Sequence, residues 1–213
     1  MNTAIVYNTQ NQLLISNGLV GYWSFHEGSG SIARDFSSTR NNGTINYSPP
    51  TWGIGKVGSA LSFDGTNQYV SMAGTNLSGL STSDWSISLW LNQRGLNLYS
   101  GIVVFNNEGL VNSKSNALAL IHNGNAIATS VAITSYVNQW IHVVGTNIGS
   151  VYTIYINGVN ALAGFQSDSG YGLNGVYWIG NGYVGTKING LVNDVRVYNR
   201  GLSATEISVL YNT

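Results

Sequence analysis

Short runs rich in Val, Ile, Leu, Tyr, Trp and Thr recur along the chain, separated by polar stretches dominated by Asn, Gly and Ser. Runs of this composition, bounded by turn residues, predict strands. They fall at 19–25, 59–64, 68–72, 85–92, 101–106, 116–122, 125–133, 139–146, 151–156, 159–163, 176–180 and 188–198. In DWSISLWL, Ile87, Leu89 and Leu91 can face a core while Ser86, Ser88 and Trp90 share the opposite side. Trp90 is then expected on an open, ligand-facing surface or beneath a covering segment. Asn-Gly pairs occur at 17–18, 42–43, 123–124, 157–158, 174–175, 181–182 and 189–190. They suit type I′ hairpin turns, which need φ > 0 at both central residues. ALALIH-NG-NAIATSV and YTIYI-NG-VNALAG are the two clearest hairpins. Pro49 and Pro50 bar any central strand from the loop around them.

About a dozen short strands with regular turn spacing predict an all-β, two-sheet antiparallel sandwich. A length of 213 residues suits one such domain. One short C-terminal helix is expected: Ser203-Ala-Thr-Glu206 is a capping box, and Ile207, Leu210 and Tyr211 follow at helical spacing. It is expected to plug one end of the sandwich. Residues 1–17 precede the domain at 18–213 and read as an N-terminal arm, in which AIVY and QLLIS are each candidates to add an edge strand.

Charge narrows the function classes. Only 8% of residues are charged, the net charge is zero, and Asn equals Gly in number. The surface is therefore solvated by amides and hydroxyls. Nucleic acid is held by clustered cations, and anionic membrane surfaces are as well, so neither is an expected partner. No Cys is present, which removes disulfides and thiolate chemistry. The first residues show no cationic n-region and no long apolar run. The expectation is a protein without a cleaved signal peptide and without a membrane span, extracellular or on a virion surface.

Three ordered segments carry a family resemblance: GLVGYWSFHEGSGSIARDFSSTRNNGTI (18–45), WGIGKVGSALSFDGTNQYVSM (52–72) and INGLVNDVRVYNRGLSATEISVLY (188–211). The chain resembles the LamG-like (laminin G/pentraxin-type) jelly rolls of the concanavalin A-like lectin/glucanase superfamily. The resemblance implies a jelly-roll sandwich over 18–213. It leaves function open, because the family is functionally broad.

Glycoside hydrolysis needs two carboxyl groups held several ångströms apart. The superfamily's glucanases carry a Glu-x-Asp-x(x)-Glu strand, and none is present here. Of the three Glu, Glu27 is expected in a turn, Glu108 in a loop and Glu206 in the capping box. His142 is expected to be a satisfied structural residue, and His26 and His122 lack metal-ligand spacing. No catalytic residue is assigned. No cofactor is required, but many LamG-like domains bind calcium, so the resemblance makes Asp35, Asp64 and Asp194 candidate ligands of a structural calcium. The alternative has Asp64 shaping a turn and Asp194 pairing with Arg196. Aromatic rings stack on the C–H faces of sugars while amides bond their hydroxyls. Tyr47, Trp52, Trp90, Tyr99, Tyr171 and Tyr183 are the candidate ligand contacts, whereas Trp23, Trp85, Trp140 and Trp178 are expected in the core.

The expected function is non-catalytic recognition or adhesion, glycan-binding and displayed on a viral or phage particle or another extracellular assembly. A decoration protein of a virion, assembling through residues 1–17, is the alternative, and a polysaccharide-active enzyme ranks third.

Overall fold

A computed structural model describes residues 3–47, 51–73, 77, 80, 84–95, 97–106, 108–113, 117–122, 125–164, 168–169, 177–182 and 186–213. In chain order, helix α1 (Thr3–Ser16) is followed by β1 (Leu19–Trp23), β2 (Ile32–Ala33), β3 (Gly43–Asn46), β4 (Thr51–Ile54), β5 (Ser59–Asp64), β6 (Tyr69–Met72) and β7 (Trp85–Gly95). Then come β8 (Gly101–Phe105), β9 (Glu108–Asn112), β10 (Ala117–His122), β11 (Asn125–Ala132) and β12 (Trp140–Ile148). The chain ends with β13 (Val151–Ile156), β14 (Val159–Asn160), β15 (Leu162–Gly164), β16 (Asp168–Ser169), β17 (Tyr177–Ile179), β18 (Asn189–Tyr198) and helix α2 (Ala204–Asn212).

The strands form two antiparallel sheets, the jelly-roll sandwich expected from the sequence. One has eight strands in the order β14-β13-β12-β7-β18-β5-β4, with β1 also paired to β18. The other has ten, in the order β15-β11-β10-β9-β8-β17-β6-β3-β2, with β16 also paired to β11. Strand β4 ends its sheet, an edge position next to Pro49-Pro50. The core lies between the sheets: Phe63, Ile87, Leu89, Leu91, Val143, Val192 and Val197 meet Val70, Val103, Phe105, Leu110, Leu118 and Leu120. The expected inward set of β7 is the observed one. The clearest short hairpin turns through Asn157 and Gly158, with φ 52° and 78°, as a type I′ turn requires. Asn123 and Gly124 lie outside the described residues, but β10 and β11 on either side of them pair antiparallel, with His122 opposite Asn125 and two shifts of register further along.

Four expectations are corrected. Residues 3–16 form a helix, not edge strands. Its stop signal is Asn17-Gly18, with Gly18 at φ 71°, so this pair ends a helix instead of making a hairpin. A helix of this length is marginal alone, and the body holds its last turn. Tyr198 Oη donates to Ile15 O (2.9 Å), Arg200 Nε to Asn17 O (2.8 Å) and Arg200 Nη2 to Leu14 O (3.2 Å). Helix α2 has its capping box, Ser203 with Glu206, but it covers the outer face of the eight-stranded sheet and does not plug an end. Its Ile207 and Leu210 pack with Ile15, Val144, Leu202 and Tyr198. Glu108 begins strand β9 and is fully buried, not in a loop. Finally, Trp140 and Trp178 are only partly buried, because each sits on an outward position of its strand, whereas Trp23 and Trp85 are in the core.

Candidate functional site

The two outer faces of the sandwich differ. On the eight-stranded sheet, α1 and α2 cover the surface of β12, β13 and β18. Trp90 lies beneath this layer and is 4% exposed. Its ring meets His142 at 5.1 Å and Tyr211 of α2 at 5.8 Å, and Lys56 Nζ sits 5.0 Å from its centroid. His142 Nε2 bonds Ser88 Oγ at 2.9 Å. Burial pushes the His142 imidazole down to about 4, against the pull of Asp194 and with help from Arg196.

The ten-stranded sheet instead turns aromatic rings outward. Because Ile45 and Val70 point into the core, their neighbours Thr44, Asn46, Tyr69 and Ser71 point out. Strand register then aligns a row across four strands: Ile32 opposite Thr44, Thr44 opposite Ser71, and Ser71 opposite Trp178. Asn46 opposite Tyr69 starts a second row. Tyr47 follows on the same side and is 61% exposed. The Tyr47 and Tyr69 centroids are 6.2 Å apart at 53°, and those of Tyr69 and Trp178 are 6.1 Å apart at 71°. Lys187 Nζ lies 5.2 Å from the Tyr69 centroid. Burial lowers this ammonium, while the Asp64 carboxylate opposes that shift. Trp178 and Tyr99 both pack over the small outer cluster of Val104, Val111, Ala119 and Ile121. Asn46 Nδ2 donates to Ser71 Oγ at 2.9 Å. Tyr47 and Tyr99 hold φ at 65° and 58°. That conformation costs a bulky residue on the order of 1 kcal/mol, and such outliers gather at functional sites.

Of the six candidate contacts, the structure brings Tyr47 and Tyr99 to this surface. Trp90 is buried, and Trp52 lies on edge strand β4 of the other sheet, packed against the core. Tyr171 and Tyr183 lie outside the described residues. Sequence reasoning missed Tyr69 and Trp178. The alternation of YVSM held a signal for Tyr69, but three-residue β17 is too short to show which face Trp178 takes.

The three candidate metal ligands are tied up separately. Asp35 Oδ1 accepts from Tyr22 N (2.9 Å) and Ser37 N (2.8 Å), and Oδ2 from Thr39 Oγ1 (2.8 Å) and Asn41 N (2.8 Å). Asp64 Oδ1 accepts the N–H groups of Thr66, Asn67 and Gln68. Partial burial pushes the Asp64 carboxyl up, but these donors outweigh it and hold it below its usual value. Asp194, at φ 56°, pairs with Arg196 at 3.2 Å, and that guanidinium stacks 4.5 Å from the Tyr22 centroid. Calcium takes six to eight oxygens. Among the described residues no three His, Asp or Glu side chains converge on such a cage, so these aspartates do not fit a shared calcium.

A laminin G family model, described as the concanavalin A-like lectin/glucanases superfamily, matches residues 64–208, more than half of the chain. The chain belongs to this superfamily. The N-terminal motif at 18–45 lies outside that match, yet the fold likeness extends over it. Domain 4 of AbnA, a GH43 extracellular arabinanase from Geobacillus stearothermophilus in complex with arabinotriose, is similar over 91% of this chain and 98% of its own, with TM-score 0.62 and 20% identity. Trypanosoma rangeli sialidase in complex with sialic acid gives TM-score 0.65 and 16% identity over 98% of this chain but only 37% of its own. The binding domain of Paraclostridial Mosquitocidal Protein 1 gives 0.63 and 16%, over 93% of this chain and 52% of that one. At these identities the likenesses establish the fold alone. A comparison with curated protein sequences finds no match.

Proposed function

We propose that this domain is a non-catalytic glycan-binding module, and that its contact surface is the outer face of the ten-stranded sheet around Tyr47, Tyr69 and Trp178. The carrying observation is the linked set of rings on that face, beside Asn46, Ser71 and Thr44, while two helices close the opposite face. Rings offer apolar faces to sugar C–H groups, and neighbouring amides and hydroxyls can meet sugar hydroxyls. The arabinanase domain solved with arabinotriose, a neighbour of nearly the same length, supports a soluble oligosaccharide as ligand. The non-catalytic part is supported by four of the eight carboxylates: Asp35, Asp64, Asp194 and Glu206 are each engaged in holding local structure. We place the domain in an extracellular setting, where such ligands are displayed. Mounting on a particle would use α1, whose Leu13 and Leu14 are exposed.

The test is a glycan array followed by calorimetry on Trp178→Ala, Tyr69→Ala and Tyr47→Ala. Losing one ring contact removes about 1–2 kcal/mol, so affinity should fall roughly tenfold for each, with far-UV circular dichroism unchanged. Equal binding by all three variants overturns the assignment of the face. Polysaccharide cleavage that disappears with one acidic substitution overturns the non-catalytic reading.

A further inference from the structure

The aromatic surface does not end at Ile32. We infer that the polar groove bounded by Glu27, Ser29, Ser31 and Arg34 is a second subsite of the same surface, so that the module takes a neutral oligosaccharide of three or more units lying across the strands. This rests on the glycan-binding reading. The groove has a volume of about 400 Å³, and Ile32 belongs both to its lining and to the row ending at Trp178. Ile32, Arg34 and Phe36 are exposed while Ala33 and Asp35 between them are buried, so the groove opens on the outer side of β2. From Ile32 to Trp178 are three strand spacings, about 14 Å, which exceeds the reach of a single sugar.

The chemistry of the groove suits hydroxyl groups. Glu27 Oε1 accepts the Arg34 N–H at 2.7 Å, but Oε2 is shielded and makes no hydrogen bond. A carboxylate oxygen left without a donor is unfavourable. A small rotation of this half-buried side chain brings it to a sugar hydroxyl, and two hydroxyls of one sugar can bridge its two oxygens. Ser29 and Ser31 are exposed beside it. Glu27 and Arg34 carry opposite charges on the same groove, so neither an acidic nor a basic sugar is favoured. The loop is set by Phe25, fully buried at φ 57°, a strained turn of the kind that aims functional segments.

The experiment is calorimetric titration of the wild type, Glu27→Gln, Ser29→Ala/Ser31→Ala and Trp178→Ala with arabino-, cello- and malto-oligosaccharide ladders from disaccharide to hexasaccharide. The amide introduced by Glu27→Gln keeps an oxygen for the Arg34 N–H, so the fold is retained. For the series that binds, affinity should rise about tenfold between disaccharide and tetrasaccharide. The double serine variant should abolish that rise and Glu27→Gln, whose amide can still meet a hydroxyl, should reduce it, both leaving disaccharide affinity unchanged, whereas Trp178→Ala should weaken every length. Affinity that is flat with length, or a rise that survives both groove variants, overturns the second subsite and leaves the aromatic face standing. No binding by any ladder overturns both.

Discussion

Lowering the pH from 7.5 to 5 should destabilise this protein by about 2 kcal/mol through His142 alone. The imidazole is 2% exposed, held by Ser88 Oγ, with Trp90 and Tyr211 against its ring and no partner on Nδ1. Burial, as the dominant cause, brings it down to about 4; in the unfolded chain it titrates near 6.5. Between those values the unfolded state binds a proton that the folded state refuses. The contribution is therefore complete above about pH 6.5 and is lost as the pH falls towards 4. Each unit of separation is worth about 1.4 kcal/mol, and by pH 5 roughly one and a half units have been exposed, giving about 2 kcal/mol. The carboxyls of Asp64 and Glu206, held below their usual values, lose their contributions only further down in pH. Urea titrations at pH 7.5, 6 and 5 on the wild type and His142→Gln read the effect directly. The wild type should lose midpoint steadily at constant m, and the variant, less stable at neutral pH, should be nearly flat over the same range. Parallel slopes, or an imidazole titrating near 6.5 by NMR, would refute the reasoning. They would also mean that α2 does not seal the eight-stranded sheet, reopening that face as a binding surface.

Arg200→Gln removes the side chain that bonds the last carbonyls of α1 and the Glu206 carboxylate of α2. Because the pair is partly exposed, global stability should fall by only about 1 kcal/mol, while hydrogen exchange of residues 3–16 accelerates strongly. Unchanged exchange there would show that Ile15 alone docks the helix. Asp35→Ala strands three buried or half-buried backbone donors, while Thr39 Oγ1 keeps Val20 O, and should cost about 3 kcal/mol, a Tm drop of roughly 10 °C; a drop of one or two degrees would show the turn to be self-supporting. Chelation with EDTA should leave Tm unchanged, since Asp35, Asp64 and Asp194 do not share a cage; a clear fall on chelation would restore a structural calcium.

The parts legible in the sequence are those whose signal is local. Strands β5 and β13 match the predicted spans residue for residue, and the Ser203–Glu206 box marks the start of α2. Helix α1 was not legible, because it has no charged residue and takes its caps from Tyr198 and Arg200, more than 180 residues away. Strand β9 was hidden by the polar run FNNEG, whose Glu108 is buried beside His122. For the proposed binding surface, loop position pointed to Tyr47 and Tyr99. The remaining members depend on pairing: Trp178 joins the row only because β17 sets it opposite Ser71, and a register moved by one residue would bury it.

The scarcity of charge bears on recognition. Among the described residues most of the charged groups, buried or exposed, are engaged with neighbouring groups of the fold. Asp35 and Asp64 organise turns, Arg94 Nη2 donates to Ser62 Oγ and Phe63 O, Arg196 stacks on Tyr22, and Arg200 clamps two helices. Lys56 and Lys187 lie over aromatic rings. Glu27 and Arg34 stand apart, since both face a groove and Glu27 Oε2 keeps its hydrogen-bonding capacity unused. A surface with so few charges, and none in net, neither steers nor repels a charged partner strongly at long range. On the surface proposed for the ten-stranded sheet, specificity would then come from ring placement and from short hydrogen bonds by amides and hydroxyls. Such contacts are not screened by salt, so glycan affinity should hold from low to high ionic strength. A steep loss with added salt would instead point to a charged ligand and to Lys187 or Arg34 as its principal contact.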